Sequence, residues 1–455
     1  MKTAVFEGAP ALEVVRRLAV ADPGGGVLFF DSGTSADGTD RWSIVCAFPD
    51  EILVEAQGVF RSTKAQTVVD DPLAWIRERQ RRHHPHDFNS LGLPFHGGLA
   101  GMLSFELAWM LDDIRAEHAP SAAPGLWVAD FPTAAVYSHA RKRWYIVGEK
   151  DDSRHEAFRE AITATTAPDP SPTIGDDIGP PARWLKISRE AYERGVQACI
   201  DAISGGELFE VNYTERFEAP WEQNGFALFE SLRAVSNGDF GGYLQAPGLC
   251  VASISPEQFI RVDQGHVTTR PIKGTRRRSQ DPSEDDALAR GLLHSPKDRA
   301  ENVMIVDLMR NDLTRFCRPG SVEVTSLCAL ESFAGVHHLV SRVEGELDPS
   351  LDALDALMTS FPAGSITGAP KLRSIELISE FEHDARGAYT GSFFYWSRCG
   401  RLDSNVLIRT ATLANGRATY GAGGAVVADS VPGDEFDEAL LKARPFTRAM
   451  NLVRP

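Results

Sequence analysis

The chain has 455 residues, which is more than one ordinary hydrophobic core usually holds, so it has room for two lobes or one large composite domain. Its 43% hydrophobic and 24% charged residues are typical of a soluble globular protein. The formal net charge of −16 argues against a general binder of nucleic acid, which would carry a basic surface.

The six cysteines are scattered along the sequence and form no Cys-x-x-Cys pair, which predicts reduced thiols and no zinc site. The first residues, Met-Lys-Thr-Ala-Val-Phe-Glu, lack the apolar core of a signal peptide. No apolar run approaches the roughly 20 residues that cross a bilayer. We therefore expect a cytoplasmic protein that binds neither nucleic acid nor membrane.

Residues 1–166 are predicted to form a β-rich region with a few helices. Apolar runs at 26–32 and 41–47 predict two strands paired across a hairpin, and helices are predicted at 71–81 and 152–163. This region shows no catalytic constellation. We expect its strands to join one sheet of the main fold rather than to form a free domain.

Residues 167–183 form the clearest linker of the sequence. The segment holds five prolines together with Gly, Ser and Asp, a composition typical of an exposed, extended connection. It separates the β-rich region from residues 184–455, where the candidate chemistry lies.

The second region opens with a helix that Ser188 is predicted to cap, running to about residue 203. The alternating segment 208–217 then predicts a strand. Four polar residues of this strand share one face: Glu210, Asn212, Thr214 and Arg216. The face is either solvated or a polar wall of a cleft, and the sequence leaves both readings open.

A single lysine, Lys273, stands between Pro271 and Gly274. Proline fixes φ and glycine permits unusual backbone angles, so we expect Lys273 on a rigid turn at a strand end. Its amine would become a nucleophile if burial or neighbouring cations, such as the arginines at 276–278, lowered its pKa. The alternative is a basic surface turn.

Glu257 lies at a Ser-Pro turn, and the next strand leads back to Lys273, so the two side chains are predicted to face one another. A carboxyl group near a reacting lysine can serve as a general acid or base. The alternative is an ordinary turn residue.

Two predicted helices carry acids three residues apart. Asp298 and Glu301 share a face of one helix, and Glu435 and Glu438 share a face of the other, with Lys442 one turn beyond. Two such pairs meeting across a cleft would make an oxygen-rich site for Mg²⁺. The alternative is surface acids on two amphipathic helices.

Two loops of small residues are candidates to bind an anion. In 361–371, Ser365, Thr367 and free backbone N–H groups would suit a carboxylate, and 422–425 is a second loop of this kind. For both loops the alternative is a plain tight turn.

Two further residues are candidate ligand contacts. Arg409, predicted on a strand over 405–412, would clamp an anion, unless it is simply an exposed strand arginine. His338 is either a core histidine or a site histidine.

Together these stretches resemble the chorismate-utilising enzymes, in order from about residue 188 to 445. The motifs that carry the resemblance are Ser-Pro-Glu257, Pro-Ile-Lys273-Gly-Thr, Asp298-Arg-Ala-Glu-Asn-Val-Met-Ile-Val-Asp-Leu-Met-Arg-Asn-Asp312, His338-Leu-Val-Ser, Phe361-Pro-Ala-Gly-Ser-Ile-Thr-Gly-Ala-Pro-Lys371, Val427-Ala-Asp-Ser and Lys442-Ala-Arg. The first region resembles the family more weakly, through Phe-Phe-Asp-Ser32 and Gly97-Gly98.

The resemblance implies an α/β fold of the α+β type: two packed, mostly antiparallel sheets with outer helices and the active site between them. Lys273 is similar to the lysine of the aminodeoxychorismate synthases (component I), whereas anthranilate synthases carry alanine there. The implied reaction converts chorismate and ammonia to 4-amino-4-deoxychorismate through a covalent lysine intermediate. The alternatives are anthranilate synthase component I, an isochorismate or salicylate synthase, and a non-catalytic tryptophan-binding subunit.

The resemblance also implies residue roles. Glu301 and Glu438 would ligate Mg²⁺, with Asp298 and Glu435 acting through water. Lys273 would attack ring carbon 2 and expel the carbon 4 hydroxyl. Glu257 would protonate that hydroxyl, and His338 would lie beside the ring. Arg409 and Tyr395 would contact the enolpyruvyl carboxylate. Thr367 and the backbone N–H groups of Gly423 and Gly424 would form an anion cradle, and Lys442 would be a further substrate contact.

Partners follow from the same resemblance. Ammonia usually comes from a separate glutaminase subunit, and the chain has no glutaminase motif, so such a partner or free ammonia is implied. In some relatives the N-terminal strands bind tryptophan, and Asp31 and Ser32 lie where such a pocket would be.

The sequence departs from the family pattern at two positions. Glu210 stands where the family commonly has glutamine, which places a carboxylate near an anionic substrate. We expect it to be protonated, paired with Arg216 or turned away. Ala425 stands where the family usually has glycine, so the anion cradle would be slightly tighter.

Overall fold

A computed structural model gives the fold of the chain. It describes residues 2–22, 24–32, 41–64, 66–82, 92–114, 118, 121–148, 153–165, 173–174, 181–236, 238–332 and 336–453. In this part of the chain, no helix is long and apolar enough to cross a membrane. All six cysteines lie within it, and each is a free thiol.

The strands, in chain order, are β1 Lys2–Phe6, β2 Val27–Asp31, β3 Trp42–Cys46, β4 Glu51–Ala56, β5 Val59–Ser62, β6 Gly98–Leu103, β7 Leu126–Phe131, β8 Ala134–Ser138, β9 Arg143–Gly148, β10 Thr173–Ile174, β11 Glu210–Pro220, β12 Gly241–Ala246, β13 Leu249–Ser253, β14 Gln258–Asp263, β15 His266–Arg270, β16 Ile272–Arg277, β17 Glu323–Ser332, β18 Val336–Glu346, β19 Gly368–Ala369, β20 Ser392–Ser397, β21 Leu402–Asn405, β22 Thr410–Ala414, β23 Arg417–Val426 and β24 Leu452–Val453.

The α-helices are α1 Ala11–Ala21, α2 Pro72–Arg82, α3 Leu107–Leu111, α4 Arg154–Thr163, α5 Arg189–Ser204, α6 Gly225–Val235, α7 Pro282–Leu293, α8 Pro296–Thr314, α9 Ala353–Ser360, α10 Lys371–Phe381 and α11 Pro432–Met450. The predicted cap of α5 is present, because Ser188 Oγ accepts a hydrogen bond from the N–H of Ala191.

The strands form two large antiparallel sheets, which confirms the predicted fold class. One eleven-stranded sheet has the order β1-β9-β8-β3-β2-β12-β13-β22-β23-β11-β19. The other has the order β16-β18-β15-β14-β21-β20-β6-β7-β4-β5, with β17 paired to β18. Strands from the first 166 residues belong to both sheets rather than to one.

Alternating strand residues pack the two sheets face to face. The core between them takes Leu28 and Leu244 from the first sheet and Met102 and Phe393 from the second. The outer faces are covered by helices, with α1, α4, α6, α10 and α11 over the first sheet and α2, α8 and α9 over the second. Burial on both faces explains why these strands are nearly continuous apolar runs.

The predicted linker lies largely outside the described residues. Within it, Thr173 and Ile174 form β10, which pairs with β24 near the end of the chain. At one end of each large sheet, β11 and β19 close the first sheet and β16 and β18 close the second. The residues with candidate chemistry gather at this end.

Candidate active site

Lys273 lies inside strand β16 rather than on a turn at its end. Gly274 has a φ of +87°, and the ladder between β16 and β18 shifts register there. A Cβ at Gly274 would lie 3.0 Å from Asp298 Oδ1, so glycine also lets the strand approach α8. The Lys273 side chain is 12% exposed, and its Nζ lies 3.0 Å from Glu210 Oε1.

Lys273 is held as a cation. Burial opposes its charge, but the carboxylates of Glu210 and Glu301 outweigh burial and raise the pKa of the Lys273 amine. The expectation that neighbouring arginines lower this pKa is therefore wrong. The reason is that each arginine is paired with an acid elsewhere: Arg276 with Asp298, Arg277 with Glu284 and Arg278 with Asp285, each at 2.8 Å.

The polar face of β11 is a buried wall and not a solvated surface. Glu210, Asn212 and Thr214 are buried. Glu210 is paired with Lys273 and not with Arg216, whose guanidinium instead donates to the carbonyl of Ala385. This ion pair was missed by the sequence reasoning, which has no signal for contacts between the edges of two sheets.

Glu257 lies between β13 and β14, buried and within electrostatic range of Lys273, as chain order predicted. Ser365 Oγ donates a hydrogen bond to Glu257 Oε1 at 2.6 Å. Burial raises the pKa of Glu257 to about 7, against the smaller opposing effects of Ser365 and Lys273. Near neutral pH this carboxyl group can therefore donate a proton.

His338 is buried on β18, with its Nδ1 2.8 Å from Thr275 Oγ1. Burial, together with the charge of Arg409, lowers the pKa of His338 to about 4. Its imidazole is therefore neutral at physiological pH, and it lies near Arg409.

Arg409 lies between strands β21 and β22 and not on a continuous strand. Its φ of +51° is in the left-handed region, which is uncommon for a residue with a side chain. Among the described residues its side chain has no hydrogen bond or ion pair, and burial lowers the pKa of its guanidinium. A half-buried cation without an acid partner is suited to an anionic ligand.

Tyr395 does not accompany Arg409. It is buried between the sheets, in edge contact with Phe30 and Phe95, and its charged neighbours include Asp403 and Arg401. Its side chain is on the face of β20 that packs between the two sheets, where it lines a cavity with Asp31 and Ser32. The tyrosine within electrostatic range of Arg409 is Tyr420, which the sequence reasoning missed.

Tyr389 accompanies this pair. Its ring packs against Gly421, and it lies within electrostatic range of Tyr420. Arg409, Tyr420 and Tyr389 thus form a cluster of one guanidinium and two phenol groups. The sequence offers no local signal for it, since the three residues come from different segments.

The two small-residue loops differ from expectation. Thr367 is fully buried, and its hydroxyl donates to the carbonyl oxygens of Ala363 and Gly364. Its backbone N–H donates to the carbonyl of Gly364 and its own carbonyl accepts from the N–H of Asn212, so its polar groups are already bonded within the chain. Gly423 and Gly424 are inside strand β23 and pair with β11, so 422–425 is not a loop. Lys442 Nζ donates to the carbonyl of Gly423 at 2.8 Å.

The four acids predicted for a metal lie on α8 and α11. The charge of Lys297 acts on Glu301, Glu435 and Glu438, which places the two acid pairs near one lysine. Asp298 is paired with Arg276. No three His, Cys, Asp or Glu side chains within the described ranges are close enough together to hold a metal ion by themselves.

The acids of α11 nevertheless retain free capacity for a cation. Glu435 Oε2 is buried and has no hydrogen-bond partner in the described part of the chain, and burial raises the pKa of Glu435. Burial opposes the charge of Glu438, but Lys442 at 2.7 Å lowers the pKa of that carboxyl. A Cβ at Gly424 would lie 2.9 Å from Glu435 Oε2, so both carboxylates face the bare backbone of β23.

A cavity lies between the sheets, and Lys273 is not among the residues that line it. Asp31, Ser32 and Tyr395 are among its lining residues, and the Asp31 carboxylate is paired with Arg233 at 2.5 Å. Asp31 and Ser32 are the residues at which the resemblance implies a pocket for tryptophan, and that ligand stays a prediction.

Comparisons with known proteins bear on this geometry. A family model described as chorismate binding enzyme matches residues 32–448. Aminodeoxychorismate synthase component 1 of Klebsiella aerogenes is 36% identical over 431 residues, which is 91% of this chain and 91% of that protein. Anthranilate synthase component 1 of Thermus thermophilus is 34% identical over 416 residues, which is 91% of this chain and 90% of that protein.

The crystal structure of anthranilate synthase component I from Streptococcus pneumoniae matches the fold with a TM-score of 0.75 at 27% identity. That match covers 91% of this chain and 93% of the other. Because the family model spans nearly the whole sequence and includes every candidate site residue, the chain belongs to the family of chorismate binding enzymes.

Proposed function

We propose that the chain is an aminodeoxychorismate synthase component I, which converts chorismate and ammonia to 4-amino-4-deoxychorismate. The observation that carries the proposal is Lys273, a buried amine at 3.0 Å from Glu210 and within electrostatic range of Glu257. A lysine in this position can act as a covalent nucleophile.

The proposed reaction uses two residues at the ring. Lys273 Nζ attacks ring carbon 2, both conjugated ring double bonds shift, and the bond from carbon 4 to its hydroxyl breaks. Glu257, with its pKa raised to about 7, supplies the proton with which that hydroxyl leaves as water. Ammonia then attacks carbon 4, both double bonds shift back, and the electron pair of the carbon–lysine bond returns to Nζ.

Arg409 is the proposed contact for the enolpyruvyl carboxylate. It is half-buried and has no acid partner among the described residues, and Tyr420 lies within electrostatic range of it. An arginine held in this way pairs a carboxylate with two parallel hydrogen bonds.

Glu301 and Glu438 are proposed to hold Mg²⁺ directly, and Asp298 and Glu435 are proposed to act through water. Magnesium bound there would supply positive charge to the ring carboxylate. Glu435 Oε2, which has no hydrogen-bond partner among the described residues, fits this role. The small number of protein ligands in the described ranges fits as well, since Mg²⁺ is commonly held by one or two carboxylates together with water and substrate oxygens.

We further propose that ammonia comes from a separate glutaminase subunit. The name component 1, carried by the Klebsiella aerogenes relative, implies a second component. Ammonium-dependent turnover by the chain alone, and glutamine-dependent turnover only after addition of a glutaminase subunit, would support this division of labour.

The test is a product assay with chorismate, Mg²⁺ and an ammonium salt, read by mass spectrometry. The chain is expected to form aminodeoxychorismate, and Lys273→Ala is expected to lose at least 100-fold in rate, as removal of a covalent nucleophile does. The second candidate is anthranilate synthase, which the 34% identity to the Thermus thermophilus protein favours. Anthranilate as product, or an unaffected Lys273→Ala variant, would contradict the proposal.

A further inference from the structure

The Lys273 ammonium group raises a chemical requirement. An ammonium nitrogen has no lone pair, so it must lose a proton before it can attack carbon. Four acids surround it: Glu210 from β11, Glu301 from α8, Glu257 from the segment before β14 and Glu438 from α11. They differ in how they can take up that proton.

Glu210 is the acid in direct contact. Its Oε1 accepts the hydrogen bond from Lys273 Nζ at 3.0 Å, and its side chain is 1% exposed. Its second oxygen, Oε2, is buried and has no hydrogen-bond partner in the part of the chain that the structure describes. The carboxylate therefore has a free position for a proton.

The backbone fixes Glu210 in place. Residue 210 pairs with Ala369 across β11 and β19, and Ser374 Oγ donates to its carbonyl. A Cβ at Gly368 would lie 2.1 Å from that same carbonyl oxygen, so β19 packs directly on it. The carboxylate is thus presented to Lys273 by a rigid element.

We propose that Glu210 is the catalytic base that removes a proton from Lys273 and returns it when the lysine leaves the ring. This inference rests on the proposed function. In the first step an Nζ–H bond breaks, an O–H bond forms on Glu210, and the freed lone pair of Nζ forms the bond to ring carbon 2. In the last step that electron pair returns to Nζ, which takes the proton back.

The geometry makes this transfer direct. Lys273 Nζ and Glu210 Oε1 are already 3.0 Å apart in a hydrogen bond, so the proton moves along an existing contact and the ion pair becomes two neutral groups. Glu257 serves the opposite purpose, because Ser365 occupies its Oε1 and burial raises its pKa to about 7, so that a large fraction carries a proton near neutral pH. Two glutamates around one lysine thus divide into a base and an acid.

The test is Glu210→Gln, which keeps the size and the acceptor oxygen but cannot take up the proton. We expect kcat at about pH 7 to fall by about 100-fold, in the range for loss of a general base. We also expect the rate of the variant to rise about tenfold per pH unit up to about pH 7, because Lys273 must then lose its proton to water, and to level off above that pH, where Glu257 loses its proton. The KM for chorismate should change little.

The matched control is Glu215→Gln, a buried glutamate of the same strand that accepts hydrogen bonds from Tyr213 and His383 and does not contact Lys273. It should keep the rate and the pH profile of the parent chain. Thermal melts of both variants check that the fold is intact.

An activity-independent measurement separates this inference from the proposed function. Trace acetylation of Lys273 with acetic anhydride, followed by mass spectrometry across pH, reports how readily the amine loses its proton. Glu210→Gln should be labelled faster than the parent at neutral pH, because the stabilising carboxylate is gone. Equal labelling of Lys273 in the parent chain and in Glu210→Gln would overturn the role of Glu210. So would an unchanged kcat and pH profile in that variant, whichever product the chain forms. A product other than aminodeoxychorismate would overturn only the proposed function.

Discussion

At the scale of single residues, environment and not residue type decides what each glutamate can do. Glu257 is buried beside a serine and has a pKa of about 7, whereas Lys442 lowers the pKa of Glu438. The sequence predicted that Glu257 faces Lys273, because one short β unit connects them. It did not predict the pairing of Lys273 with Glu210, which depends on how the edges of two sheets meet.

Glu257 is expected to impose an upper pH limit on catalysis. The protonated carboxyl is the donor, and its population falls as the pH rises through about 7, so kcat should decline above that value. Glu257→Gln should lower kcat by about 100-fold or more, since it removes the donor. Steady-state rates across the pH range measure both effects.

Ser365→Ala provides a sharper test of the same assignment. Its hydroxyl donates to Glu257 and thereby favours the carboxylate, so its removal should raise the pKa of Glu257. The decline in kcat should therefore move to higher pH, with little change at the plateau. A decline that stays at the same pH in Ser365→Ala would show that another group sets the limit.

At the scale of elements, the helices that the sequence predicted lie near their predicted bounds, whereas α1, α3, α6, α7, α9 and the irregular strand segments were not predicted. Helix α5 was predicted within a residue of its observed start, because Ser188 and the residues after it form a local cap. Arg409 was placed on a strand because its neighbours are apolar and β-branched. Its left-handed φ is imposed by tertiary packing, to which sequence periodicity gives no access.

Strand β23 is expected to control the acids of α11. An alanine side chain at 424 would meet the flexible ends of Glu435 and Glu438, at 2.9 and 3.4 Å, so it should displace these carboxylates without disrupting the strand. Gly424→Ala should raise the Mg²⁺ concentration needed for half-maximal rate by about tenfold, as displaced metal ligands do. A titration of rate against Mg²⁺ measures this.

The control for that variant is Gly291→Ala in α7, where an added Cβ meets nothing within 4 Å. It should leave the dependence on Mg²⁺ unchanged and slightly stabilise the helix. If Gly424→Ala also leaves that dependence unchanged, then Glu435 and Glu438 are not at the metal.

At the scale of the whole molecule, the site depends on both sequence regions. The sequence predicted two packed sheets but assigned the strands of residues 1–166 to one of them, whereas they enter both. Strand order between distant segments is set by tertiary contacts, so local patterns cannot give it. Strand β2 pairs with β12, and this contact joins the two regions at the centre of the first sheet.

One cross-strand pair tests whether the regions fold as a unit. Leu28 from the first region lies opposite Leu244 from the second, and both are fully buried between the sheets. Leu28→Ala and Leu244→Ala should each lower the free energy of unfolding by about 2–5 kcal/mol. Leu441→Ala, at a side chain that is 55% exposed, should change it by less than about 0.5 kcal/mol. Urea denaturation measures the free energies, and hydrogen exchange should show both regions opening together in each core variant. Exchange that opens the strands of residues 1–166 while β11 and β16 stay protected would mean that the catalytic end of the molecule is stable without them.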